Sequence, residues 1–134
     1  MTGFPLKIVT PDGLLFDGTA EELIVRSTSG DIGILAGHIN CVAPLGMGQA
    51  TLIIDGQKRY AACIGGMVSV VKGAVTLVPT TFEWADKIDV ERAEASQRRA
   101  QAILSDKSST DTDIRLAEAR LKRALVRKRV ANQK

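Results

Sequence analysis

Residues 79–104 read PTTFEWADKIDVERAEASQRRAQAIL, and the chain changes character inside them. Pro79 is the last of 4 prolines, and all 12 glycines lie at or before Gly73. Residues 80–134 contain neither breaker, so a region of turns gives way to uninterrupted helix. Within the stretch, Ala93, Ser96, Ala100, Ile103 and Leu104 recur at three- and four-residue steps. That spacing makes one helix face, and Asp86 or Asp89 can cap its start. The boundary falls near residues 83–88, which divides the chain into a unit at 1–85 and a unit at 86–134.

Upstream of the boundary the pattern is short strands between turns. Leu6 and Ile8 alternate ahead of Thr10-Pro11-Asp12-Gly13, and Leu23-Ile24-Val25 forms a second apolar run. The strongest hairpin signal is Thr51 to Ile54, the pair Asp55-Gly56, then Arg59 to Ile64. Asp-Gly tolerates the positive φ angles of a tight two-residue turn. Met67 to Val71, Lys72-Gly73 and Ala74 to Val78 predict another. Strands at such short spacing indicate a β-sandwich or barrel rather than βαβ units.

Downstream, Ser105-Asp106-Lys107-Ser108-Ser109 interrupts the first helix. Thr110 with Asp113 resembles a capping box and opens a second helix with Ile114, Ala117, Leu121, Ala124 and Leu125 on one side. Helices of roughly 17–20 residues, about 26–30 Å long, joined by so short a loop form an antiparallel hairpin. The fold class is therefore β plus α: an N-terminal β-sandwich of about ten short strands, then a two-helix hairpin. Alanine dominates the helical stripes; it favours helix but removes little area from water, so the hairpin is weakly tied.

Charge divides where the pattern does. Residues 1–85 hold 5 Lys+Arg against 7 Asp+Glu, while residues 86–134 hold 13 against 8. Residues 115–134 carry Arg115, Arg120, Lys122, Arg123, Arg127, Lys128, Arg129 and Lys134 against the single acid Glu118. A net +7 over this stretch asks for an anionic partner.

Other classes are excluded by what is missing. No apolar run approaches the roughly 18 residues a bilayer span needs, so direct membrane insertion is not expected. MTGFPLKIV lacks the basic start, apolar stretch and cleavage site of a signal peptide. Cys41 and Cys63 make no disulfide framework or zinc cluster and read as small hydrophobes in a reducing compartment. The one histidine, His38, sits beside Gly37 as a turn residue. No metal-ligand spacing, phosphate-binding loop or G-x-G-x-x-G run occurs, so the chain reads as no enzyme by itself.

Four motifs in order carry a resemblance that spans essentially the whole chain. They are Val9-Thr10-Pro11-Asp12-Gly13; Ser29-Gly30-Asp31-Ile32-Gly33-Ile34-Leu35-Ala36-Gly37-His38; Gly65-Gly66 with Val68 and Val70; and Ile88-Asp89-Val90-Glu91-Arg92-Ala93. Together they resemble the epsilon subunits of bacterial F-type ATP synthases, with Ala36 in place of the usual proline. The resemblance implies a β-sandwich plus helical hairpin and a non-catalytic place in the central rotor stalk. There the sandwich would pack on the gamma subunit and the c-ring, on the cytoplasmic face of the bacterial plasma membrane or on a chloroplast thylakoid. It would couple proton-driven rotation to ATP synthesis.

The resemblance also implies regulation. The hairpin would lie folded on the sandwich or extend into the catalytic head. Extended, it would inhibit ATP hydrolysis by setting Arg115, Arg120, Lys122, Arg123, Arg127, Lys128 and Arg129 near the alpha and beta subunits. Folded, it would bind regulatory ATP; no other cofactor is implied. The ATP site of such family members maps onto Glu83, Ile88, Asp89, Arg92, Ala93, Arg99, Arg123 and Arg127. Residues four apart stack on one helix face, so Arg123 and Arg127 can meet one phosphate chain with paired donors. The competing class is a small nucleic-acid-binding module using the basic helices. Against it, the tail lacks an aromatic for base stacking and the acidic sandwich would repel a phosphate backbone. A nucleic-acid partner is therefore not expected.

Overall fold

In the computed structural model, which describes residues 2–133, ten strands precede two helices. The strands are β1 (Phe4–Thr10), β2 (Gly13–Ala20), β3 (Glu22–Ser27), β4 (Gly30–Ile34) and β5 (Cys41–Pro44). They continue with β6 (Met47–Ile54), β7 (Gln57–Ile64), β8 (Met67–Val71), β9 (Ala74–Val78) and β10 (Thr81–Trp84). A single 3-10 turn, Ala85–Lys87, leads to α1 (Val90–Ser105) and α2 (Asp111–Ala131).

The hairpins form where turn chemistry requires them. Asp55 and Gly56 hold φ of 53° and 76°, and Lys72 and Gly73 hold 50° and 80°. Two consecutive positive φ values give the tight turn whose twist matches paired strands. The first joins β6 to β7 over the full strand length, and the second joins β8 to β9. At Gly66, φ is 92°, and a Cβ there would overlap the Val78 carbonyl oxygen, so only glycine fits.

Two five-stranded sheets result, in the orders β2-β1-β9-β8-β5 and β10-β7-β6-β3-β4. Most pairs are antiparallel, but β1 and β9 run parallel, Leu6 facing Val75. Alternation sends Leu6, Ile8, Leu23, Val25, Leu52, Val68 and Leu77 between the sheets, where none exposes more than a trace of surface. Every member of this core lies between Phe4 and Trp84. Cys63 belongs to it, and burial pushes its thiol up to about 12. Cys41 is half-buried, and both cysteines are free thiols.

The helices carry the caps the sequence encodes. The Asp89 carboxylate accepts from the Arg92 N–H at 3.0 Å, and Thr110 with Asp113 completes the capping box. Between them, the Ser108 N–H and hydroxyl both donate to Asp106, which holds its carboxyl below the usual range. The helices run 16 and 21 residues, one residue outside the expected range of about 17–20 at either end.

Ala93 and Ala100 of α1 and Ala117 and Ala124 of α2 are buried in the hairpin. A second apolar cluster fastens α2 to the outer face of the second sheet: Val126 and Val130 pack with Ala62 and Ala85, flanked by Tyr60 and Ile88. Here the expected stripe needs correction. Leu125 is 45% exposed, because the face carrying Val126 and Val130 turns to the sheet instead.

Candidate functional site

A cleft of about 800 Å³ opens where the hairpin meets one end of the sandwich. β10 and the β1–β2 turn form one wall, and α1 and α2 form the others. Asp89 comes into it because capping fixes its side chain at the start of α1. One turn on, Arg92 and Ala93 follow, and Arg99 joins them from two turns further along. From α2, Arg123 and Arg127 reach the same space, four residues apart. β10 contributes Glu83, which alternation points away from the Phe82 side of the strand.

Seven of the eight residues assigned to nucleotide thus line one cavity. Ile88 is the exception. Its side chain packs against the Ala62–Val130 cluster, because the extended residue after the 3-10 turn faces the sheet rather than the cleft. Arg120, assigned only to the basic surface, lines the cleft as well. Thr10, Asp12, Thr80 and Lys87 also line the walls; Thr10 and Asp12 lie in the first of the four motifs, which did not assign them to this site. They arrive by tertiary folding of the β1–β2 turn beside the segment entering β10.

The cleft is cationic. Six basic side chains (Lys87, Arg92, Arg99, Arg120, Arg123 and Arg127) face three carboxylates (Asp12, Glu83 and Asp89). Arg127 is already engaged: its Nε donates to Glu83 Oε1 at 2.5 Å. Such a surface, with several planar guanidinium forks converging from two helices, suits an extended polyanion.

The remaining basic residues lie elsewhere. Lys128 donates to Gln97 at 2.9 Å and so ties α2 to α1. Arg129 borders a separate hollow on the second sheet, beside Arg26 and Asp31, which pair at 2.9 Å. Arg115 and Lys122 are exposed on α2. His38 is half-buried, and its Nδ1 donates to the Ile39 carbonyl at 2.8 Å. Among the described residues no three His, Cys, Asp or Glu side chains gather as a metal site, and no helix is long and apolar enough to cross a membrane.

Two family models match the chain. Residues 3–85 match the model for the ATP synthase delta/epsilon chain β-sandwich domain, and residues 86–132 match that for its long α-helix domain. The chain belongs to the ATP synthase delta/epsilon chain family. Its relatives include the ATP synthase epsilon chain of Bacillus velezensis, 48% identical over 126 residues, covering 94% of this chain and 95% of that one. The epsilon chain of Ruminococcus albus is 43% identical and covers both chains completely. A chain from the Euglena gracilis mitochondrial ATP synthase, solved as OSCP/F1/c-ring, shares the fold with a TM-score of 0.79. It is 22% identical, and the match covers 91% of this chain and 77% of that one.

Proposed function

We propose that the chain is the non-catalytic epsilon subunit of an F-type ATP synthase, seated in the central stalk, with a helical hairpin that closes over regulatory ATP. The observation that supports the ligand is the cleft itself: four arginines of the family's nucleotide motif, Arg92, Arg99, Arg123 and Arg127, face one cavity from two helices. Each guanidinium offers paired N–H donors to phosphate oxygens, and Asp89 anchors the motif's helix. ATP bound there bridges α1, α2 and β10, and so stabilises the folded hairpin in proportion to its concentration over Kd. Released, the hairpin presents its basic face to the alpha and beta subunits and restrains hydrolysis.

The opposite side of the molecule supports a rotor position. On the first sheet, Pro44, Met67 and Val78 stand in one row across three strands, all exposed. Val42 and Val71, 62% and 53% exposed, extend this apolar face. Ser69 and Thr76 lie between these rows, and exposed apolar side chains gathered on one sheet face in this way mark a protein interface. Its occupant in this reading is the gamma subunit, with the c-ring beneath, which makes the chain a peripheral protein at the cytoplasmic face of the membrane. Co-purification of the tagged chain tests it: gamma recovered with wild type, and lost with Met67→Asp, is the expected result. Absence of gamma from the wild-type eluate overturns the assignment. Titration calorimetry with ATP tests the ligand separately, and no heat at millimolar ATP overturns that part alone.

A further inference from the structure

We propose that Arg120 supplies a further phosphate subsite at the end of the cleft nearest the interhelix loop, so that a nucleoside tetraphosphate binds more tightly than ATP. This rests on the reading of the cleft as a nucleotide site and extends it. Arg120, Arg123 and Arg127 stand three and four residues apart, on one face of α2, and all three line the cavity. The row spans about 10 Å of helix. α1 runs toward the loop at residues 106–110 and α2 runs away from it, so Arg99 and Arg120 mark the loop end of the cleft. Glu83 and Asp89 stand toward the opposite end, where β10 passes into α1. Carboxylates there suit the hydroxyl and amino donors of a nucleoside and repel phosphate, which directs the phosphate chain toward Arg99 and Arg120.

Arg120 has no partner along its own helix. One turn away on either side lie Leu116, Ala117, Arg123 and Ala124, none of them acidic. Glu118 is two residues off and so leaves from another face. Among the described residues the ion pairs are Arg26–Asp31 and Arg127–Glu83; Arg120 is in neither, nor is Asp12, the carboxylate that the β1–β2 turn brings to the cleft. Like charges one turn apart weaken a helix, so three guanidinium groups in file cost stability unless an anion lies across them. The family's motif gives Arg92, Arg99, Arg123 and Arg127 to ATP, and Arg120 is a fifth guanidinium beyond that set. A fourth phosphate lengthens the anion toward it, and the planar fork of Arg120 takes the added oxygens in pairs. Its side chain is exposed, so water screens the contact and the gain is moderate.

Titration calorimetry on the full chain at one fixed ionic strength, with ATP and adenosine tetraphosphate as the probes, tests the subsite. Wild type is expected to bind the tetraphosphate about 3- to 10-fold more tightly than ATP. Arg120→Gln abolishes that preference and leaves ATP affinity within about 2-fold of wild type. Arg115→Gln removes the same charge from an exposed position on α2 outside the cleft and keeps the preference, which separates contact from general attraction. Both variants should match the circular dichroism of wild type, since both side chains are exposed. Equal affinity of wild type for the two probes, or a preference that survives in Arg120→Gln, would overturn the subsite. So would an Arg120→Gln variant that loses affinity for both probes alike, since Arg120 would then hold the triphosphate itself. Heat from ATP with no preference for the tetraphosphate fails this inference alone, whereas no heat from either probe fails the nucleotide reading and the subsite with it.

Discussion

The carboxylate of Asp89 accepts the backbone N–H of Arg92 at 3.0 Å, so two residues of the proposed nucleotide site also form the N-cap of α1. The cap satisfies one of the open N–H groups of the first turn and fixes the direction in which Arg92 leaves the helix. Asp89→Ala is expected to cost about 1 kcal/mol of hairpin stability, and Asp89→Asn to cost less, because the amide oxygen caps nearly as well. Thermal unfolding followed by circular dichroism at 222 nm checks the order. Equal losses in the two variants would mean that charge, not capping, is what Asp89 supplies.

Arg127 has more to lose. Arg127→Ala removes a charge-assisted donor worth roughly 1.5–3 kcal/mol, so ATP affinity falls about 10- to 150-fold, with Arg123 compensating in part. Arg127→Lys recovers only some of it, because an ammonium lacks the planar fork. Calorimetry on the full chain measures both. An Arg127→Lys variant equal to wild type would count against paired phosphate contacts.

Deleting residues 86–134 leaves a folded sandwich. Every residue of the main core lies between Phe4 and Trp84, and the removed helices pack on the outer face of the second sheet. The fragment is expected to unfold in one cooperative transition and to retain gamma binding through the other sheet. A fragment with the circular dichroism of an unfolded chain would contradict this.

Cys63 gives a pH dependence with a definite sign. Burial raises its folded-state pKa to about 12 from an ordinary 9.0, so the unfolded thiol ionises first. Above pH 9 the unfolded state therefore binds fewer protons than the native one, and stability falls as pH rises toward 12. Cys63→Ala is expected to be less sensitive over this window in urea titrations at stepped pH. At pH 8, Cys63 in native protein should also resist thiol reagents that modify the half-buried Cys41.

The residues of one local segment decided much by themselves. Breakers before residue 80 and none after it separate sheet from helix, because Gly and Pro act on their own φ angles. Asp55-Gly56 and Lys72-Gly73 set two hairpins, and Asp89 and Thr110 set two helix starts, all through contacts within four residues. The motif arginines were legible for the same reason: spacing along one helix fixes which of them share a face.

Only the tertiary structure decided the rest. A helix such as α2 carries apolar residues on two sides, and periodicity alone favoured Leu125; packing on the sheet chose Val126 and Val130, since their face fits against Ala62 and Ala85. The same packing drew Ile88 out of the site and into the cluster. The cleft's far wall, from Thr10 and Asp12 to Thr80, and the Glu83–Arg127 contact join residues far apart in the chain. Such pairs depend on the chain as a whole closing its core, and no local signal carries them.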